Sequence, residues 1–338
     1  MKTEKTEKTD LTSVTIRPFD RNSEADYEAL AALQNIETPE MPVTASEIRY
    51  RDEQQPAHLL SGRFLAQTAA DTILGVSDYG QWLGMYHPRR FWGGVLVHPD
   101  CRRQGIGTRL YDALLERLAP HDPLSLRAVA REDKPDANAF LEKRGYAPDM
   151  RFWESVLQVA AFDPAPYQGA IDRFVSEDFT IRSYADLAND PDRDRRLYEM
   201  VEEVHQDVPS PEARTPVPFD EWIKRLDSPN FLPDANFVAL GPDGTYLGIT
   251  MLWKRQATDQ LQTGLTGVRA AYRRKGIALA LKLRAIEYAR SMGAPSIRTD
   301  NESNNRGMLS INEALGFVKD PVWVVYVKTL SEEKEPPV

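Results

Sequence analysis

The sequence predicts an α/β (mixed α+β) fold: two tandem domains, each a central mixed β-sheet flanked by helices. Three observations carry that prediction. The pattern Arg102-x-x-Gly105-x-Gly107 returns as Arg273-x-x-Gly276-x-Ala278, with the first glycines 171 positions apart. The register holds around it: Val97 answers to Val268 and Gly145-Tyr146 to Gly316-Phe317 at the same spacing, while Thr15-Ile16-Arg17 returns 165 positions on as Thr180-Ile181-Arg182. Short apolar runs and helical periodicities follow one another in the same order in both halves, as in a duplicated chain.

The first half opens with a strand at Val14–Arg17, then helices at Glu24–Gln34 and Thr44–Gln54, then strands at Phe64–Gln67 and Ile73–Tyr79. The run Phe91–Val97 leads into the repeated loop. The helix after it, from Gly105 to Leu118, carries an apolar stripe of Leu110, Leu114, Leu115 and Leu118. Beyond Pro123 come a strand at Leu124–Val129, a helix at Asp136–Lys143 and a last strand at Phe152–Val159.

The second half repeats this plan, with a strand at Thr180–Ser183 and helices at Arg195–His205 and Phe219–Leu226. Strands Phe237–Leu240 and Tyr246–Leu252 are joined by Pro242-Asp243-Gly244, whose glycine admits positive φ. Gln262–Val268 leads into the second loop and a helix over Gly276–Met292. Ile297–Asp300, a helix over Asn305–Leu315 and Val322–Val327 complete the unit. These elements predict domains at 11–160 and 179–330. Residues 161–178, with Pro164 and Pro166, form the linker, and disordered tails are expected at Met1–Asp10 and Ser331–Val338.

Composition narrows the class. The chain has 338 residues, 41% hydrophobic and 28% charged, as expected of two soluble globular domains. No apolar run approaches a bilayer span and no signal-peptide core is present, so a cytoplasmic protein without a membrane partner is expected. A net charge of −9 argues against a nucleic-acid partner and favours cationic or amine substrates. The single cysteine, Cys101, and five scattered histidines predict neither a disulfide nor a metal site.

A loop of backbone N–H groups between a strand and a helix N-terminus suits a phosphate. Together with the spaced Gly-aromatic pair, the strand, loop, helix, strand and helix order resembles the GNAT superfamily of acyl-CoA-dependent N-acetyltransferases. The likeness covers nearly the whole chain, in tandem form. It implies that amides of Arg102, Arg103, Gln104, Gly105, Ile106, Gly107 and Thr108 cradle the pyrophosphate of coenzyme A, as do those of Arg273, Arg274, Lys275, Gly276, Ile277 and Ala278. It implies a splayed, bulged strand before each loop, where the N–H of Val97 or Val268 contacts the thioester carbonyl of acetyl-CoA and stabilises its developing charge. Asn305 takes a position that contacts the cofactor in the family.

Many family members have a tyrosine acid four residues before the glycine of the Gly-aromatic pair. Here those positions hold Leu141 and Asn312. Leucine cannot donate a proton, whereas asparagine can hydrogen-bond a thiolate without protonating it. The second half therefore reads as the better-preserved site, with Val268, Asn312 and, as a base acting through water, Glu302. The expected reaction is acetyl transfer to a small primary amine by direct attack, in a monomer or homodimer. Two rivals stand beside it. One is a coenzyme A-binding sensor without turnover. The other is a transferase acting on a protein or aminoglycoside amine, with Glu199, Glu202, Glu203 and Asp207 as an acidic groove. A dinucleotide dehydrogenase is excluded because neither loop has Gly-x-Gly-x-x-Gly spacing.

Overall fold

The computed structural model describes residues 13–172 and 179–332. The expected N-terminal tail, the residues after 332 and residues 173–178 of the expected linker lie outside the described residues. In chain order, the first repeat forms β1 (Thr15–Pro18), α1 (Glu24–Glu37), α2 (Ala45–Glu53), β2 (Ser61–Gln67), β3 (Ile73–Gly80), β4 (Arg90–Val97), α3 (Ile106–Leu118), β5 (Ser125–Arg131), α4 (Pro135–Glu142) and β6 (Ala147–Gln158). A short α5 (Gln168–Ile171) follows. The second repeat forms β7 (Thr180–Ser183), α6 (Arg193–His205), α7 (Phe219–Trp222), β8 (Phe231–Leu240), β9 (Tyr246–Lys254), β10 (Leu261–Val268), α8 (Ile277–Ser291), β11 (Ser296–Glu302), α9 (Arg306–Ala314), β12 (Val318–Lys319) and β13 (Trp323–Thr329). Among the described residues, no helix is long and apolar enough to cross a membrane.

The chain divides into two compact units. Unit 1 is drawn from Met1–Trp82, Tyr86–Ala128 and Val327–Val338, and unit 2 from Leu83–Met85 and Val129–Tyr326. Strands β5 and β13 therefore each give residues to both units. Elements α4 and β6, which end the first repeat, belong to unit 2.

In unit 1 the order is β1-β2-β3-β4-β5, antiparallel up to β4 and parallel between β4 and β5. The sheet is covered on both faces. Leu65 and Val76 pack against Tyr27, Leu30 and Ile48 of α1 and α2, while Ala66 and Leu74 pack against Ile106 and Leu110 of α3. Adjacent residues Leu65 and Ala66 are both fully buried, as the period-two alternation of a two-sided core requires. Helix α2 starts on a capping box, with Thr44 and Glu47 satisfying each other's backbone N–H groups.

In unit 2 the order is β13-β6-β11-β10-β9-β8-β7, with β10 and β11 parallel and the pairs β6–β11, β10–β9, β9–β8 and β8–β7 antiparallel; β12 pairs with β6. Helix α8 covers one face through Leu281, Ala285 and Ile286, and α6 covers the other through Leu197, Met200, Val201 and Val204. The register between β6 and β11 is long, from Ser296 opposite Gln158 to Glu302 opposite Phe152. The last strand of the first repeat thus lies between two strands of the second, β13 and β11.

Some elements differ from expectation. Strand β8 starts at Phe231 because Phe231 pairs with Trp253 before a register shift, which the Pro233-Asp234 turn signal conceals. The helix expected over Phe219–Leu226 tightens after Trp222 into a 3-10 turn over Ile223–Asp227. The start of the expected linker is structured: Tyr167 stacks on Phe162 at 5.7 Å and hydrogen-bonds the Ala314 carbonyl. Ser331, expected in a disordered tail, donates its hydroxyl to the Pro123 carbonyl at 3.0 Å.

Candidate active site

The two repeated loops have the same backbone. Arg103 and Gly105 have φ of 63° and 84°, and Arg274 and Gly276 have φ of 64° and 80°. Glycine adopts such angles without strain, so each loop starts its helix directly on its glycine, while the arginine two residues earlier also takes the left-handed region. No side chain caps α3 or α8. Intrahelical bonding leaves the first N–H groups, those of Ile106 and Gly107 or Ile277 and Ala278, directed out of the helix end, where the dipole favours an anion. A Cβ at Gly105 would meet nothing within 4 Å, so the space above the loop is open. Ile106 and Ile277, both 3% exposed, anchor the loops in the core, while Arg103, Gln104, Thr108, Arg274 and Lys275 lie exposed around them.

Arg102 and Arg273 do not point into this space. Arg102 donates from Nε to the Val97 carbonyl at 3.0 Å and pairs with Glu37; Arg273 donates to the Val268 carbonyl at 3.0 Å and pairs with Asp207. In each repeat the first arginine ties the loop to the end of the preceding strand and to a carboxylate at or just beyond the end of an earlier helix.

Each loop follows a splayed strand. Pairing of β4 with β5 covers Arg90–Trp92, and pairing of β10 with β11 covers Leu261–Gln262. The remainder of each strand keeps a partner on one side only. The bulge expected on this strand occurs in β10, between Thr263 and Leu265, whereas the β3–β4 register is unbroken. The ladder fixes the direction of the backbone groups. Because the Arg269 N–H donates to Leu247 and the His98 N–H to Leu74, the next residues inward, Val268 and Val97, are in non-hydrogen-bonded positions. Their N–H groups, and those of Thr266 and Val95 two residues earlier, turn away from β9 and β3 toward the splay. Thr266 and Val95 are donors that sequence reasoning missed and strand alternation could have found.

Around the unit 2 splay, Asn312 of α9 is 1% exposed and donates to Asn301 Oδ1 at 2.6 Å, leaving its own Oδ1 buried without a partner. Asn305 caps α9, accepting from the Met308 N–H at 3.3 Å. Glu302 ends β11 and turns back on its own loop, accepting from Ser303 Oγ (2.9 Å), Asn304 N (2.8 Å) and Asn304 Nδ2 (3.0 Å). Leu141 lies buried in α4.

Alternation along β11 divides these groups. Ile297 packs with α8, and Asn301 has the same parity; Arg298, Asp300 and Glu302 have the other. Asp300 lies two residues beyond the last β10–β11 pair and opposite Glu154 of β6. It keeps access to solvent, and the surrounding protein raises its carboxyl above the usual range. Burial likewise raises Glu154, which accepts from Trp323 Nε1 at 3.1 Å. Asp300 and Glu154 were not singled out from the sequence. Glu154 lies in the other repeat, and only the strand pairing brings it here. Arg298 forks onto Asp320 at 2.9 and 2.6 Å. Behind the strand, Lys282 of α8 is 3% exposed, and burial depresses its pKa to about 8.

The acidic run on α6 is largely matched. Glu203 pairs with Arg269 at 2.6 Å, Asp207 pairs with Arg273, and Glu202 lies in the field of Arg214 and Arg225. Burial and those two arginines push His205 down to about 4, so it is neutral at physiological pH. Among the described residues, no three His, Cys, Asp or Glu side chains converge as a metal site.

With this geometry in hand, comparison with known proteins gives consistent matches. The family described as "Acetyltransferase (GNAT) family" matches residues 30–146 and again 195–317. The mycothiol acetyltransferase of Thermomonospora curvata is 28% identical over 236 residues, covering 69% of this chain and 72% of that protein. The mycothiol acetyltransferase of Nocardioides sp. is 23% identical over 299 residues, covering 78% and 95%. Among solved structures, a tandem GNAT protein from the clavulanic acid biosynthesis pathway superposes with a TM-score of 0.75 at 16% identity, over 95% of this chain and all of that one. A GCN5-related N-acetyltransferase from Sphaerobacter thermophilus gives 0.71 at 21% identity, over 96% and 98%.

Proposed function

From the premise that this chain belongs to the GNAT acetyltransferase family, we propose that it moves an acetyl group from acetyl-CoA to the primary amine of a small molecule, and that unit 2 carries this transfer. The observation that carries the reading is the pairing, in one place, of an uncapped helix start at Gly276 with a splayed strand whose Thr266 and Val268 N–H groups face the opening. Relatives named as mycothiol acetyltransferases support a small-molecule acceptor.

Acetyl-CoA supplies an activated acyl carbon and a thiolate leaving group. The loop N–H groups of Ile277 and Ala278 hold its pyrophosphate, and the strand N–H groups receive the thioester oxygen as charge develops there, an effect worth about 3 kcal/mol per donor in acyl transfer. Asp300, on the face of β11 opposite Asn301, takes a proton from the incoming ammonium. Its carboxyl is raised above the usual range, which makes it a better base than an ordinary aspartate. The amine nitrogen then bonds the acyl carbon, the carbon–sulfur bond breaks, and the second nitrogen proton ends on the departing thiolate. The remaining amide N–H of Asn312 would steady that sulfur.

Calorimetric titration of acetyl-CoA tests the reading. Gly276→Asp and Gly276→Asn both tolerate the left-handed backbone, but only aspartate sets a negative charge against the pyrophosphate. Gly276→Asp should lose far more affinity than Gly276→Asn, and coenzyme A release with an amine panel should fall with it. Equal binding by both variants and the wild type counts against the site. Binding without release, for any amine, favours the sensor reading, to which the absence of tyrosine at Leu141 and Asn312 lends support.

A further inference from the structure

Unit 1 holds a carboxylate that the transfer in unit 2 does not use. Asp78 lies on β3 opposite Gly94 of β4, one residue before the splay donor Val95. A Cβ placed on Gly94 would lie 3.2 Å from Asp78 Oδ1, and nothing else would come within 4 Å, so the glycine leaves the strand bare beside the carboxylate. Asp78 accepts from its own backbone N–H and lies in the field of Arg63 across the strand. Its cross-strand neighbour Arg63 forks instead onto Asp52 at 2.5 and 2.8 Å, and Tyr27 also donates to Asp52.

On the same face, two residues along β4, stands Trp92. Its indole stacks on that of Trp82, with ring centroids 4.8 Å apart and planes at 17°. Trp82 is 53% exposed, an unusual state for the largest apolar side chain, and Trp92 Nε1 is buried without a partner. Diagonal neighbours on one sheet face are about 7–8 Å apart, within reach of an indole. A carboxylate without an ion pair among the described residues, beside aromatic faces, is the arrangement that recognises an organic cation, because charge and ring quadrupole attract it together. The equivalent place in unit 2 is apolar, with Leu265 opposite Met251.

We propose that Asp78, Trp82 and Trp92 form a second amine site, in unit 1, that binds a primary ammonium beside bare Gly94. The site is independent of the acetyl-CoA reading for unit 2. The charged groups facing it are Arg63 on β2, matched by Asp52 of α2, and Arg127, opposite Trp92 on β5. Asp78 keeps access to solvent, yet the protein around it raises its carboxyl to about 6 against the charge of Arg63, so an ammonium should bind above that pH and be released as Asp78 protonates below it.

The test is indole NMR of the whole chain, labelled at its six tryptophans and titrated with n-butylammonium chloride, with 1-butanol as the neutral control. The Trp82 and Trp92 signals, assigned by Trp82→Phe and Trp92→Phe, should shift saturably at pH 7.5 in the wild type and in Gly276→Asp alike. Affinity should fall at least tenfold in Asp78→Asn and at pH 5, and recover in part in Asp78→Glu, which also controls for folding. Butanol should leave both signals in place. An Asp78→Asn protein that binds as the wild type does, an equal response to butanol, or no response of the wild type overturns the proposal. Loss of acetyl-CoA binding in Gly276→Asp bears only on unit 2, so failure of one reading is distinguishable from failure of the other.

Discussion

At the residue scale, the site depends on which face of a strand each side chain takes. Glu302 and Asp300 share a face of β11, yet Glu302 is taken up by donors from Ser303 and Asn304, while Asp300, beyond the last β10–β11 pair, is the base we propose. Replacing Asp300 by Asn should therefore lower kcat/KM by about 10²-fold or more, in line with loss of a general base, with acetyl-CoA affinity little changed. Glu302→Gln should leave the pH profile of turnover as it was. Sequence reasoning named Glu302 alone of these carboxylates; that its oxygens are taken up by Ser303 and Asn304, and that Glu154 of the other repeat stands opposite Asp300, leave no local signal. Lys282 gives a second test. Its pKa of about 8 in the folded chain, against 10.5 for the free group, means that the folded state disfavours the proton. That cost is fully present below pH 8 and is relieved as pH rises toward 10.5. Lys282→Met should thus raise stability at pH 7 by up to about 3 kcal/mol, with the gain shrinking to little above pH 10 in thermal or denaturant melts.

At the element scale, strand and helix positions were legible because both periods were strongly marked, and the loops because glycine has few other reasons to recur there. Helix-to-sheet closeness was not legible. A Cβ on Gly267 would lie 2.1 Å from Val204 Cγ1, so α6 rests directly on the backbone of β10 next to Val268. The corresponding residue of unit 1 is Leu96, which packs with the α1 and α2 core and holds its helices further off. Gly267→Ala should destabilise the protein by about 1–3 kcal/mol, the usual cost of overpacking, and Val204→Ala should recover much of it in the double variant. Additive losses in urea melts would show that the contact does not set the spacing. The 3-10 turn after Trp222 and the early start of β8 were missed for a related reason: tertiary pairing overrode the local pattern there.

At the scale of the whole molecule, the tandem plan was plain from the 171-residue register, but the partner of each strand was not, since repetition says nothing about pairing. Strand β6 ends the first repeat in sequence and lies against β11 of the second over seven residue pairs, giving Glu154 its place opposite Asp300. A chain beginning at residue 161 lacks that strand and would leave β11 with an open edge. Such a fragment should aggregate or stay poorly folded. A chain beginning at residue 129, which restores α4 and β6, should show the sharper thermal transition. Circular dichroism on the two fragments decides it, and a fully folded shorter fragment would mean that β11 needs no such neighbour.

The same pairing sets an order of events during synthesis. Glu154 meets Asp300 across 146 positions of chain, so β6 leaves the ribosome long before its partner exists. At about 5–20 residues per second, that interval is on the order of ten seconds. Throughout it, a nearly complete first repeat carries a strand whose neighbours on both edges, β11 and β13, are still to be made, long enough for chaperones or a neighbouring nascent chain to find it. Slowing translation after residue 160 would lengthen that exposure, which makes the yield of folded protein sensitive to codon choice in the second half of the message.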